Sequence, residues 1–263
     1  MNRATFKIAV TLVYDLPFPA DILLSIEVAQ LPDQILVRDL LTVSGAGPLT
    51  TILGEDDIGR RTWVCAKERL TINYGAEVCV QRDITPIETL IVERRTKLTE
   101  SVIHYVWPSR YCEADRFTAF VSREFADVEG GAKLRAMADW IHSHIEYRPG
   151  TSDSATTAVD TFVSRQGVCR DFAHLMAAFA RAADIPARVV SVYAFGLKSQ
   201  DFHAVVEVWL DGAWYFVDAT RLASPENLIR VAVGRDATDV SFMTIFGTAL
   251  LVDQSVSVTR VDA

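Results

Sequence analysis

The chain has 263 residues, half of them hydrophobic, with 26 basic against 34 acidic side chains and a formal charge of −8. That length holds one large domain or two ordinary ones. The acidic balance argues against nucleic acid or an anionic membrane as partner, since both need a basic face, and no apolar run reaches the ~20 residues of a membrane span.

The opening MNRATFKIAVTLVYDLPFP is cut short by Tyr14 and Asp15, with no small-residue cleavage site behind it, so it reads as a first strand rather than a signal peptide. Segments 5–16, 21–31, 34–45, 60–68 and 69–83 are short, rich in β-branched residues and divided by Pro, Gly and Asp. That spacing predicts an antiparallel β-sandwich over residues 1–95. Nothing in it clusters His, Cys and carboxylates. Cys65 and Cys79 fall in strand segments, where small apolar residues are expected. Residues 96–114 carry Pro and charge with no clean period and read as a linker or crossover.

A second domain is expected over 115–263. Segments 113–126 and 131–147 carry apolar residues at helical spacing. Segment 154–167 predicts a shorter helix closed by Gly167. CRDFAHLMAAFARAAD, 169–184, predicts a helix with Phe172, Leu175, Met176 and Phe179 along one stripe. Strands follow at 187–195, 202–210, 213–220, 228–234 and 249–261. Helices first and antiparallel strands after make the fold class α+β.

The four cysteines, Cys65, Cys79, Cys112 and Cys169, contain no C-x-x-C pair and too few residues for a disulfide scaffold. The spacing argues against a zinc ribbon or a thioredoxin-like motif, and a reduced, cytoplasmic protein is expected. Cys169 stands where its helix begins. Unpaired backbone N–H groups and the positive end of the helix dipole favour a thiolate there, and the same N–H groups can bond an oxyanion. A buried helix cysteine is the plainer alternative.

A thiol nucleophile needs an imidazole base, and the imidazole an orienting group. FHAVVEVWLDGAWYFVDAT supplies both. Asp211-Gly212 favours a type I′ turn, which sets Leu210 opposite Ala213. His203 and Asp218 then point from one face, a diagonal step of at most ~7–8 Å apart. A one-residue slip would part them.

GVCRDFAHLMAAFARAADIPARVVS followed by FHAVVEVWLDGAWYFVDAT resembles the transglutaminase-like superfamily of papain-like fold. RVAVGRDATDV resembles its bacterial branch, in which a β-rich region commonly precedes the catalytic domain. The resemblance implies that Cys169 is nucleophile, His203 base and acid, and Asp218 the orienting carboxylate. It further implies a second oxyanion donor, for which Tyr147 and Gln166 are the candidates; a core tyrosine and a loop-capping glutamine are their structural alternatives. Two departures stand out: Val205 where the family often has Trp, and Asp218-Ala219-Thr220 where it often has Asp-Pro-Thr.

His174 lies about 140° around the helix from Cys169 at 100° per residue, so a structural role beneath the site is expected. His142 and His144 cannot share a helix face and read as solvated. No metal-ligand spacing and no Gly-rich phosphate loop occur, so no metal and no cofactor are expected. The expected partner is a peptide or protein amide. Hydrolysis as a protease or amidase is favoured because water needs no second substrate pocket. Protein crosslinking is the alternative reaction, and a catalytically idle peptide-binding domain the alternative class.

Overall fold

The alternation of TFKIAVTLVYDL sends Phe6, Ile8, Val10, Leu12, Tyr14 and Leu16 to one face, and all six are buried in the computed structural model, which describes residues 2–261. The strand does not stop there. β1 runs Asn2–Leu24 through Pro17 and Pro19, where two strands are expected. Its pairing with the next long strand breaks between Leu16 and Ala20, so the prolines sit in a bulge where no ladder donor is needed. β2 (Gln34–Ala46), β3 (Thr50–Leu53) and β4 (Arg60–Arg82) follow. β4 likewise joins two expected strands, passing Glu68 at φ 64°.

The helical middle holds α1 (Glu100–Ile103), α2 (Thr118–Glu124) and α3 (Gly130–His144). The short strand β5 (Glu146–Tyr147), α4 (Ala158–Ser164), β6 (Gln166–Gly167) and α5 (Cys169–Ala182) complete it. A capping box of Thr157 and Asp160 starts α4, and Arg165 at φ 60° ends it, so the expected cap at Gly167 lies two residues too late. Then come β7 (Ala187–Ala194), β8 (His203–Leu210), β9 (Ala213–Val217), β10 (Leu228–Gly234), α6 (Ala237–Val240), β11 (Met243–Phe246) and β12 (Leu250–Val261).

The strands over 1–95 do not build a sandwich of their own. They form one six-stranded sheet in the order β11-β1-β4-β2, with β12 also on β1 and β3 also on β4. The partners β11 and β12 come from the far end of the chain. The physical reason is the edge of β1: 23 residues long, it has unpaired backbone groups that residues 1–95 alone leave open, and β11 and β12 cover them. The boundary expected at 115–263 is therefore crossed by hydrogen bonds from Thr5↔Val261 to Leu24↔Met243. Within the expected linker or crossover, residues 96–114, Val102, Tyr105 and Cys112 are buried.

The second sheet is antiparallel, β10-β7-β8-β9. Gln34 joins the two sheets: its amide donates to Ala29 O at 2.8 Å and Arg230 O at 2.9 Å and accepts from Arg230 N at 2.7 Å. α5 lies between this sheet and α2, α3 and α4. It is buried on nearly every side, not along one stripe, because Phe179 also meets Phe117, Phe120, Phe162 and Trp140.

Of the strand cysteines, Cys79 is buried and Cys65 exposed. Strand alternation explains the second: Val64 and Ala66 take the inward positions on either side of it.

Candidate active site

The head of α5 is set by its own sequence. Val168 is extended at φ −112°, and the Asp171 carboxylate turns back to accept from its N–H at 2.8 Å. Asp171 N and Phe172 N return to Val168 O, at 2.9 and 3.1 Å, leaving the amides of Cys169 and Arg170 outside the helical ladder. Gly167 has to be glycine. A Cβ there would stand 2.7 Å from Asp171 Cβ and 3.0 Å from its Oδ2.

Tyr147 reaches this point through a two-residue parallel bridge. Glu146 pairs with Gln166 and Tyr147 with Gly167, and Arg148 N donates to Gly167 O at 2.9 Å. This sets the Tyr147 phenol next to Cys169. Burial, then the charge of the neighbouring sulfur, pushes its pKa up to about 12, so it stays a donor. Gln166 is half-buried and does not line the cleft that holds Cys169.

The hairpin has the expected register, with Leu210 opposite Ala213 and Val206 opposite Val217. Asp211 and Gly212 both have positive φ, 45° and 77°, as a type I′ turn requires. His203 begins β8 and Asp218 directly follows β9. Their side chains are 2% and 5% exposed, and His203 Nε2 meets Asp218 Oδ2 at 3.0 Å. The other carboxylate oxygen accepts from Thr220 N at 2.9 Å and Thr220 Oγ1 at 2.6 Å, while Ala223 N reaches Oδ2 at 3.2 Å. Although burial would raise the Asp218 pKa, the His203 and Thr220 hydrogen bonds hold it below its ordinary value.

Cys169 lines the same cleft as this imidazole. Burial alone would lower the His203 pKa. Hydrogen bonds and charge from Asp218 and Cys169 outweigh it and push the value up to about 10. Cys169 and His203 line one cleft of about 380 Å³, with Asp218 behind the imidazole and Tyr147 next to Cys169, both outside the cleft lining. This set can form a thiolate–imidazolium pair with hydrogen-bond donors beside the sulfur.

Sequence reasoning missed Thr220, whose signal is an Asp-x-Thr turn, and the half of the cleft supplied by Asp201, Phe202, Phe242 and Gln254. His174 is fully buried, stacks on Tyr111 at 5.1 Å and accepts from Ala237 N at 3.1 Å. Burial pushes its pKa down to about 3, so it is neutral. His142 and His144 are exposed, with His144 stacked on Trp140. Among the described residues, one group of potential metal ligands comes together, Glu55, Asp56 and His104, all within 4.8 Å. Asp56 there already pairs with Arg188 at 3.1 Å and accepts from Tyr105 at 2.8 Å, and none of the three lines the cleft.

A family model, the transglutaminase-like superfamily, matches residues 116–219, which include Cys169, His203 and Asp218. The whole chain is similar to the crystal structure of a candidate cysteine protease from Cytophaga hutchinsonii. That match has 33% identity and a TM-score of 0.95, covering 100% of this chain and 92% of that one. Among curated proteins, an uncharacterized protein of Mycobacterium leprae is 27% identical over 209 residues, covering 76% of this chain and 66% of its own. Protein-glutamine gamma-glutamyltransferase of Pseudomonas aeruginosa is 34% identical over 184 residues, covering 56% of this chain and 27% of its own. The chain thus spans just under two thirds of the first of these curated relatives and about a quarter of the second.

Proposed function

The chain belongs to the transglutaminase-like superfamily, with the α+β, papain-like core of that family, and from this we propose that it hydrolyses an amide or peptide bond through a thioester on Cys169. The coarser function, cysteine-dependent acyl transfer, is supported by the family match and by the Cytophaga relative. The single observation that supports a role for Cys169 is that it shares a cleft with His203, whose Nε2 meets Asp218 Oδ2 at 3.0 Å; hydrolysis is preferred to crosslinking because water needs no second substrate pocket.

In this reading Cys169 Sγ, its proton taken by His203, attacks the amide carbon. The carbonyl oxygen becomes an oxyanion facing the Cys169 N–H and the Tyr147 O–H. Collapse breaks the C–N bond, and the imidazolium gives its proton to the leaving nitrogen. His203, neutral again, takes a proton from water as the water attacks the thioester carbon. The acid leaves and the thiol is restored. Asp218 fixes the ring through Nε2 and stabilises the imidazolium. Gln166 keeps no part in this scheme.

Crosslinking is the second reading, supported by the Pseudomonas relative, which is named a glutamyltransferase. An amine would then replace water in the last step. The test is to trap the acyl group on the protein by acid quench from a peptide-amide mixture and locate it by mass spectrometry, with and without a dansylated alkylamine. Acylation of Cys169 that is lost in H203A, with free acid released, is the expected result. Dansyl incorporation instead of acid supports crosslinking. Equal iodoacetamide labelling of wild type and C169A at neutral pH, or no acylation of Cys169, would sink the enzyme reading and leave the peptide-binding one.

A further inference from the structure

The cleft at Cys169 is lined by two charged side chains besides the imidazole, Arg170 and Asp201, and the fold treats them differently. Arg170 is answered in large part from within: its guanidinium lies 3.3 Å from the buried Asp171 carboxylate and donates to Asp153 O at 2.6 Å, while its buried Nε has no partner among the described residues. Asp201 is not. Its Oδ1 accepts from Phe202 N and from Gln254 Nε2, each at 2.8 Å, and both donors are neutral. Among the described residues Asp201 has no ion-pair partner and its Oδ2 accepts no hydrogen bond.

The position of this carboxylate is built. The loop before β8 is clamped to β12: Gln200 pairs with the Val258 backbone, accepting from N at 2.6 Å and donating to O at 3.4 Å, while Gln254 holds Asp201. Beside it, the rings of Phe202 and Phe242 stack 4.2 Å apart at 4° and form an apolar wall of the same cleft. An apolar shelf leading to an unanswered carboxylate matches a side chain with an aliphatic stem and a cationic tip.

We propose that Asp201 is a specificity-determining residue that makes this cleft select a lysine or arginine side chain next to the acyl group taken by Cys169. The inference rests on the acyl-transfer reading for its substrate, while the charge preference of the cleft can be measured without it. The stem lies along Phe202 and Phe242 and the cation meets Asp201 Oδ2. The Asp171 carboxylate offsets the charge of Arg170.

The experiment alkylates Cys169 with 2-bromoethylammonium, iodoacetamide and iodoacetate. Each rate is read on the Cys169 peptide by mass spectrometry and normalised to the same reagent on free cysteine. Peptide amides that differ only in lysine against norleucine are compared in parallel. Expected are a normalised preference for the cation over the anion, and a higher kcat/KM for lysine. Both ratios fall about fivefold in D201N, the factor for a partly exposed charge pair, and reverse in D201K with added salt weakening them throughout. D201N keeps an oxygen for Gln254 and Phe202 N, so the loop stays in place. Unchanged ratios in both variants overturn the proposal, even if peptides are turned over. Altered alkylation ratios with no turnover of any peptide leave the charge preference standing and overturn the acyl-transfer reading and the substrate assignment with it.

Discussion

Tyr147 pairs with Gly167, two residues before Cys169, and this parallel bridge sets its phenol next to the head of α5. The Cys169 N–H and the phenol are thus the two candidate donors to an oxyanion. Removing the phenol oxygen in Y147F is expected to lower kcat by about 10²-fold, the usual loss for one oxyanion donor, with KM nearly unchanged. Steady-state kinetics on a peptide amide decide it. Unaltered kcat would leave the Cys169 N–H without this companion.

The Asp218–His203 pair predicts a pH window. The fold raises the His203 pKa from the ordinary 6.5 to about 10, so its stabilisation is whole below the unfolded value near 6.5 and is lost as pH climbs through about 10. D218N should reduce unfolding free energy by on the order of 2–3 kcal/mol near pH 6, with the difference closing above pH 10. Urea titrations of both proteins at stepped pH measure it. A gap that stays constant with pH would mean the imidazole is not held charged.

Gly167→Ala should act at a distance of one turn. The added Cβ would stand 2.7 Å from Asp171 Cβ, and Asp171 is fully buried and cannot swing aside. The carboxylate that ends on Val168 N must move, and Cys169 with it. A stability loss of about 1–2 kcal/mol and a drop in kcat of about tenfold are expected. Thermal denaturation and turnover on one preparation check both.

Glu207 is fully buried on β8 between two arginines, Arg230 Nε at 2.6 Å and Arg188 Nε at 2.9 Å. Burial would raise its pKa, but the two guanidinium groups hold it below the ordinary glutamate value. E207A leaves both cations in the interior without their shared anion, and about 3–5 kcal/mol should be lost. A urea midpoint close to wild type would show that water or Asp33 and Asp56 replace the carboxylate.

Much of the site was legible because its information is local. The Asp211-Gly212 turn sets the hairpin register, which alone places His203 and Asp218 on one face, and the position of Cys169 at a helix start can be read from RQGVC. The sheet was harder. Pro17 and Pro19 read as breakers, and only pairing on both sides of the bulge reveals that the strand runs through them. That β11 and β12 belong with β1 depends on partners more than 200 positions away, for which the local pattern carries no signal. Asp201 went unnoticed for the same reason. Its meaning comes from Gln254, 53 residues on.

The seating of β12 on β1 has a kinetic side. Among the described residues Leu250–Val261 follows every other element, yet it covers Thr5 to Asp15, made more than 230 positions earlier. On the ribosome the edge of β1 is left bare until some 230 further residues have emerged, and contacts closed over such a span form slowly. The cleft shares that delay. Gln254 and Val258 travel on the same late strand, so the loop leading to His203 is anchored only when the nascent chain delivers it.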